Sequence, residues 1–234
     1  MLKVEDIRVH GFEEAIRGMR NPYDSWDKSD TVFNYEDGSI EIGDNDILLM
    51  QKLVAGGPVH AKFRRMITVS MDITAPLYWW KEFDTYKVGT VANSCSTMHT
   101  IAKKEFVPDD FSVEHLYGDP DDYSFTPAYI FSETVRMLNY MREKYLKDKS
   151  KENWWQMIQL LPSSYNQRRT VLLNYEVLSN IYKSRKNHKL DEWHQLLLYL
   201  RPIPLFDILI AEGDSLKDSW ENYWPDGRKP NETD

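Results

Sequence analysis

Residues 161–193, LPSSYNQRRTVLLNYEVLSNIYKSRKNHKLDEW, set Asn174, Asn180, Arg185, His188 and Trp193 in one ordered series after Leu161-Pro162. On a helix beginning near Asn174, Leu178 lies one turn on and Arg185 three turns on, so the three share a face. An amide, a guanidinium and a nearby imidazole suit an anionic, hydrogen-bonding ligand, because the planar fork of arginine matches phosphate. The same spacing also fits an amphipathic helix whose polar side faces water. Lys87, beside the hydroxyl-rich stretch VGTVANSCSTMHT (88–100), is a second candidate anion ligand. Cys95 lies in that stretch, but no histidine stands at a recognisable catalytic spacing, so it reads as an ordinary small residue rather than a nucleophile. Tyr78, Trp79 and Trp80 could stack on a flat ring. On a helix, however, adjacent tryptophans point about 100° apart, which assigns at least one to core or interface. Glu82 and Asp84 read as solvated helix carboxylates before acid–base groups. Arg168 and Arg169 on a strand would point to opposite faces, so only one can enter a pocket. His99 and His188 fit surface or structural roles better than catalytic ones.

The elements that must position these groups follow from periodicity. Residues 2–9 alternate and predict a strand; 12–19 predict a short helix ending before Asn21-Pro22. The Asp-, Ser-, Asn- and Gly-rich segment 21–45 reads as a hairpin or loop. Asp44 or Asn45 can cap a helix running to Val54, stopped by Gly56-Gly57-Pro58. In FRRMITVSMDI, residues 63–73, Ile67, Val69, Met71 and Ile73 form one face of a half-buried strand. Pro76 then opens a helix over 77–86. Residues 88–100 show no apolar period and predict a loop, and 107–125 an exposed connection. Helices are predicted over 126–149, 153–161, 174–185, 190–200 and 205–211, with a short strand at 168–173 and a polar tail at 223–234. Mixed strands and helices followed by a run of helices mean an α+β fold, a single domain over residues 1–222.

Composition narrows the function classes. The chain has 234 residues, 41% hydrophobic and 13% aromatic, enough for a buried core. A formal charge of −8 argues against coating DNA or RNA, whose affinity comes from neutralising phosphates. A single cysteine permits no intrachain disulfide and suits a reducing cytosol, giving a cytoplasmic expectation. The N-terminal MLKVEDIRVH is unlike a secretory signal, and no run of eighteen apolar residues could span a membrane. One cysteine and six scattered histidines make a structural zinc site an unsuitable reading.

Over roughly residues 46–210 the chain resembles the flavin-dependent thymidylate synthases. The helix, the Gly-Pro stop and FRR-MITVSMDI-TAP look like that family's Phe-Glu-His strand leading into an Ala-Pro helix. The Leu-Pro, Thr, Asn, Leu, Asn, Arg, His, Trp series follows at nearly the family's spacing, with His188 one residue early. The Arg-His-Arg signature is degraded: Thr85-Tyr86-Lys87 stands in its place, and Lys87 keeps one positive charge. Thr90, and Ser94 or Ser96 depending on a one-residue slip, stand where the family's serines sit. The acidic position becomes Asn93, the Arg-Tyr ending becomes Thr97-Met98, another family arginine falls at Ile158, and the family's strand histidine falls near Arg65.

The resemblance implies a central, mostly antiparallel sheet flanked by helices and a homotetramer with active sites at subunit interfaces. It implies FAD held by Tyr86, Lys87, Asn174, Asn180 and His188, and a pyrimidine deoxynucleotide such as dUMP held by Arg185, Ser94, Ser96 and Arg168. Methylenetetrahydrofolate and NADPH complete the implied reaction, in which the cofactors do the hard chemistry and no protein nucleophile is required. A bound phosphate needs two or more cations, and Arg64, Arg65, Arg168 and Arg169 are the candidates to replace the missing ones. Three readings follow: an active synthase, a relative that binds or sequesters a nucleotide without turnover, and a pyrimidine hypermodification enzyme using the same cofactors.

Overall fold

The computed structural model describes residues 1–118 and 125–214; the polar tail expected at 223–234 lies outside them. The strands are β1 (Lys3–His10), β2 (Val32–Phe33), β3 (Ile40–Glu41), β4 (Thr68–Pro76), β5 (Thr90–Ser94) and β6 (Asn166–Asn174). The helices are α1 (Phe12–Arg20), α2 (Asp44–Ala55), α3 (Leu77–Phe83), α4 (Thr97–Thr100), α5 (Pro127–Asp148), α6 (Lys151–Leu160), α7 (Tyr175–Arg185) and α8 (Asp191–Leu200). The fold is mixed α/β, with an antiparallel sheet in the order β1-β4-β6-β5 flanked by helices. β2 and β3 form a separate antiparallel pair, Val32 opposite Glu41 and Phe33 opposite Ile40.

The alternation of β4 is realised as read: Val69, Met71, Ile73 and Ala75 are buried while the residues between them are half-buried. Residues 88–100 are not a loop. They hold β5 and the one-turn α4. β5 is an edge strand whose residues after Thr90 are exposed, so it has no buried face to impose an apolar alternation. The helix expected over 77–86 ends at Phe83, which leaves Tyr86 in the following turn. The helix expected over 205–211 is a five-residue π turn, Phe206–Ile210. The exposed connection expected from 107 contains Phe111, which is buried and bridges to Tyr165.

The chain divides into two compact units. The first holds Met1–Lys3, Ile73–Thr85 and Asn93–Arg169. Its aromatic centre on α3 packs Trp79 against Trp80 and Phe83 at ring distances of 4.9 and 5.1 Å. A second cluster joins Ile101, Phe106 and Phe111 to Val135, Leu138 and Met157 of α5 and α6. Thr126 and Ser150 cap these helices by accepting from the backbone N–H groups of Tyr129 and Asn153. The second unit holds Val4–Asp72, Tyr86–Ala92 and Thr170–Asp234. Tyr175, Leu178, Ile181 and Tyr182 of α7, and Trp193, Leu196, Leu197 and Leu200 of α8, are buried in it. Gly11, which precedes α1 at φ 90°, is irreplaceable in place: a Cβ there would lie 2.0 Å from the Met66 carbonyl oxygen.

Candidate functional site

The turn after α3 lies against α7 and α8 within the second unit. The Nε of Arg185 donates to the Tyr86 hydroxyl at 3.0 Å. The same guanidinium sits 4.9 Å from the Trp193 ring centre and 5.7 Å from that of Tyr86. Tyr86 meets Trp193 edge-on at 5.9 Å, and His188 meets it at 6.4 Å. Arg185 is thus held, half-buried, against the Tyr86 and Trp193 rings, a geometry that orients its guanidinium. His188 accepts the Leu190 backbone N–H through Nδ1 at 3.1 Å, so its neutral ring carries the proton on Nε2.

Asn174 is the N-cap of α7: its side-chain oxygen accepts from the Val177 N–H at 3.0 Å. Its amide nitrogen faces the turn, 2.9 Å from where a Cβ on Gly89 would stand, and Gly89 takes φ +79°. Thr90 follows, and its buried hydroxyl has no hydrogen-bond partner among the described residues. Lys87 and Asn180 are exposed. Leu178, on the expected polar face with Asn174 and Arg185, is fully buried, so that face is only partly polar.

The first unit holds the other expected site residues. Ser94 ends β5 and is exposed; Ser96 precedes α4, and its carbonyl accepts from the Thr100 hydroxyl at 2.7 Å. Arg168 is exposed, and its carbonyl accepts the Cys95 N–H at 2.9 Å. Gln167 donates to the Cys95 carbonyl at 3.0 Å and to the Thr97 hydroxyl at 3.1 Å. β6 therefore holds the serine-bearing stretch in place.

Arg64, Arg65 and Arg169, considered as replacements, already have carboxylate partners. Arg64 donates to Glu212 at 2.7 Å and to the Leu209 carbonyl at 3.0 Å. Arg65 pairs with Glu176 at 2.6 Å. Arg169 pairs with Asp84 at 2.7 Å, with its guanidinium 4.2 Å from the Trp80 ring centre. A phosphate reaching any of these would have to displace a carboxylate. Trp79 and Trp80 are both fully buried, which rules out stacking on a ligand; Trp80 spends its indole N–H on the Gln167 carbonyl at 2.8 Å. Cys95 is exposed, and among the described residues no cluster of three or more His, Cys, Asp or Glu side chains could hold a metal. Thr90 and Trp193 both stand out in the sequence, but neither the burial of the Thr90 hydroxyl without a partner among the described residues nor the role of Trp193 as a platform for Arg185 could be read there. The eight-residue spacing from Arg185 to Trp193 was visible, but not the contact between the two side chains across the turn joining α7 and α8.

No family model matches the chain, and no curated protein matches it in sequence. Solved structures do. The flavin-dependent thymidylate synthase ThyX from Helicobacter pylori, complexed with FAD and dUMP, aligns with a TM-score of 0.63 at 16% identity, covering 90% of this chain and 98% of that one. A second structure of ThyX from that organism with the same ligands gives 0.64 at 16% identity, covering 93% and 100%. The UMP/dUMP methylase PolB from Streptomyces cacaoi, bound with 5-Br UMP, gives 0.53 at 13% identity, covering 85% and 88%. The chain has the fold these proteins share.

Proposed function

We propose that this chain is a nucleotide-modifying flavoenzyme of the flavin-dependent thymidylate synthase type. On this reading it transfers a one-carbon unit reductively to a pyrimidine deoxynucleotide such as dUMP, with methylenetetrahydrofolate as donor and NADPH as reductant. It works in the cytoplasm as a homotetramer. The observation that carries the reading is the 3.0 Å bond from Arg185 to Tyr86: the turn standing where the family has its signature triplet meets the helix bearing the Asn–Arg–His series. The shared fold, over nine-tenths of the chain, supports it.

The residues present suit FAD on one local ground. The Thr90 hydroxyl is buried and unsatisfied, a state that costs about 1–3 kcal/mol unless a ligand completes it. On this reading Tyr86, Lys87, Asn174, Asn180 and His188 would supply a hydroxyl, a cation, two amides and an imidazole, donors that a diphosphate and a flavin edge require. The flavin, when bound, supplies hydride. The protein's share is position and charge: Arg185 holds an anion against its two rings, and Ser94, Ser96 and Arg168 hold the nucleotide.

A second reading, a protein that binds or sequesters a nucleotide without turnover, is favoured by the carboxylate partners of Arg64, Arg65 and Arg169. One preparation separates the two. Yellow protein that releases flavin on denaturation and methylates labelled dUMP supports the enzyme. Colourless protein with no thermal shift on adding FAD, yet a measurable nucleotide affinity, supports sequestration. Bound flavin without turnover of dUMP points to hypermodification of a different pyrimidine.

A further inference from the structure

The cavity between α1 and the segment that follows it has no part in the function proposed above. It encloses about 420 Å³, within the range of small-molecule sites, and none of its lining residues belongs to the Tyr86–Arg185 cluster. Ile16, buried on α1, gives it an apolar wall. Trp26 and Phe33 are its aromatic walls. Trp26 is 50% exposed, yet its indole N–H is pinned to the Asn21 side chain at 2.9 Å, so the ring is held open to the cavity rather than folded into the core.

The polar lining is a built one. Arg20 is only 4% exposed, and its Nε donates to Asp46 at 2.6 Å. Asp46 takes that arm alone, because its other oxygen accepts from Ser29 and Thr31, each hydroxyl at 2.7 Å. One terminal nitrogen of Arg20 donates to the Ser25 carbonyl at 3.1 Å; the other has no hydrogen-bond partner among the described residues. Arg17, one turn earlier on the same face of α1, is exposed and makes no ion pair among the described residues. Glu13, a further turn back, brings a carboxylate that accepts from the Tyr35 hydroxyl at 3.0 Å. Two guanidiniums able to donate, a carboxylate able to accept and two aromatic walls define a complementary ligand.

We propose that this cavity binds a small anion carrying a planar ring with an N–H edge: the ring lies between Trp26 and Phe33, the anion meets Arg17 and Arg20, and Glu13 accepts the N–H. A nucleoside monophosphate and an indole carboxylate both have this chemistry, and titration of the full-length protein distinguishes them. Uridine monophosphate and indole-3-carboxylate are titrated calorimetrically into the wild type, Arg185→Ala, Trp26→Ala and Arg17→Ala. Uridine and inorganic phosphate serve as controls. Trp26 and Arg17 are exposed, so their variants keep the fold, and unchanged thermal unfolding verifies this. The expected result is that at least one of the two anions still binds Arg185→Ala, at a site that Trp26→Ala and Arg17→Ala each weaken tenfold or more. Uridine and phosphate should bind at least tenfold more weakly than that anion. Overturning results are no binding of either anion at millimolar concentration, binding indifferent to Trp26 and Arg17, or phosphate binding equal to that of the ring-bearing anion. Loss of nucleotide binding only in Arg185→Ala would overturn this site and leave the function proposed above standing.

Discussion

Arg185 ties two elements together and, on the function proposed above, also meets the ligand. Its Nε is spent on Tyr86, and its face rests on Trp193. A charge-assisted bond to a bound anion contributes about 1.5–3 kcal/mol. Arg185→Ala is therefore expected to weaken nucleotide or flavin binding by roughly tenfold to a hundredfold, from the same magnitude, as read by calorimetry. Arg185→Lys should not restore it, because an ammonium cannot bond Tyr86 and fork to an anion together. Thr90 provides the opposite case. If its hydroxyl serves a ligand, Thr90→Val should leave the unliganded protein as stable or up to about 1–3 kcal/mol more stable, since an unsatisfied buried group is removed. Flavin affinity should fall in the same variant. A drop in stability with unchanged affinity, by thermal unfolding and titration, would show the hydroxyl to be structural.

At the scale of elements, the start of α7 and the turn facing it form one device. Asn174 caps the helix with its oxygen and abuts Gly89 with its nitrogen. Asn174→Ala should cost about 1 kcal/mol as a lost cap, whereas Asn174→Asp should keep the cap. The aspartate should nevertheless repel an anionic ligand, which separates capping from recognition when denaturation and binding are measured on both. Gly89→Ala should cost about 1–2 kcal/mol, because φ +79° strains any side chain and the new Cβ would press on Asn174. Asp46 plays a similar part on α2, tying Ser29, Thr31 and Arg20 to one carboxylate. Breaking that fully buried pair with Asp46→Ala should cost about 3–5 kcal/mol, since the arginine would stay buried without its partner.

At the scale of the whole chain, pH limits stability from both sides. Burial pushes the Asp46 carboxyl up, but the hydroxyls of Ser29 and Thr31 and the Arg20 guanidinium outweigh it and hold it below its ordinary value. Glu212 is lowered in the same way, burial opposing and Lys183, Arg64 and Ser179 prevailing. A carboxylate lowered by folding stabilises above its unfolded pKa, near 4, and loses that contribution as pH falls through the folded value. Burial raises Tyr175, and pushes Tyr199 up to about 12. Phenols kept neutral by folding stabilise fully below their unfolded pKa, near 10, and lose that contribution as pH rises through the folded one. Denaturation across pH should therefore show a plateau falling below about pH 4 and above about pH 10, from the same reference values. Asp46→Asn should flatten the acid limb, and Tyr199→Phe the alkaline one.

Periodicity alone determined which residues of β4 enter the core, because burial there acts on every second residue of the strand. It also brought Asn174, Arg185, His188 and Trp193 to notice together. It did not reveal β5, an edge strand whose exposed side chains carry no apolar alternation. Nor could it decide which cations are available. Arg65 meets Glu176 across 111 positions and Arg64 meets Glu212 across 148, so the loss of their charge is invisible to any local pattern. Ion pairing depends on distances of a few ångströms between remote segments, and only the folded chain sets those.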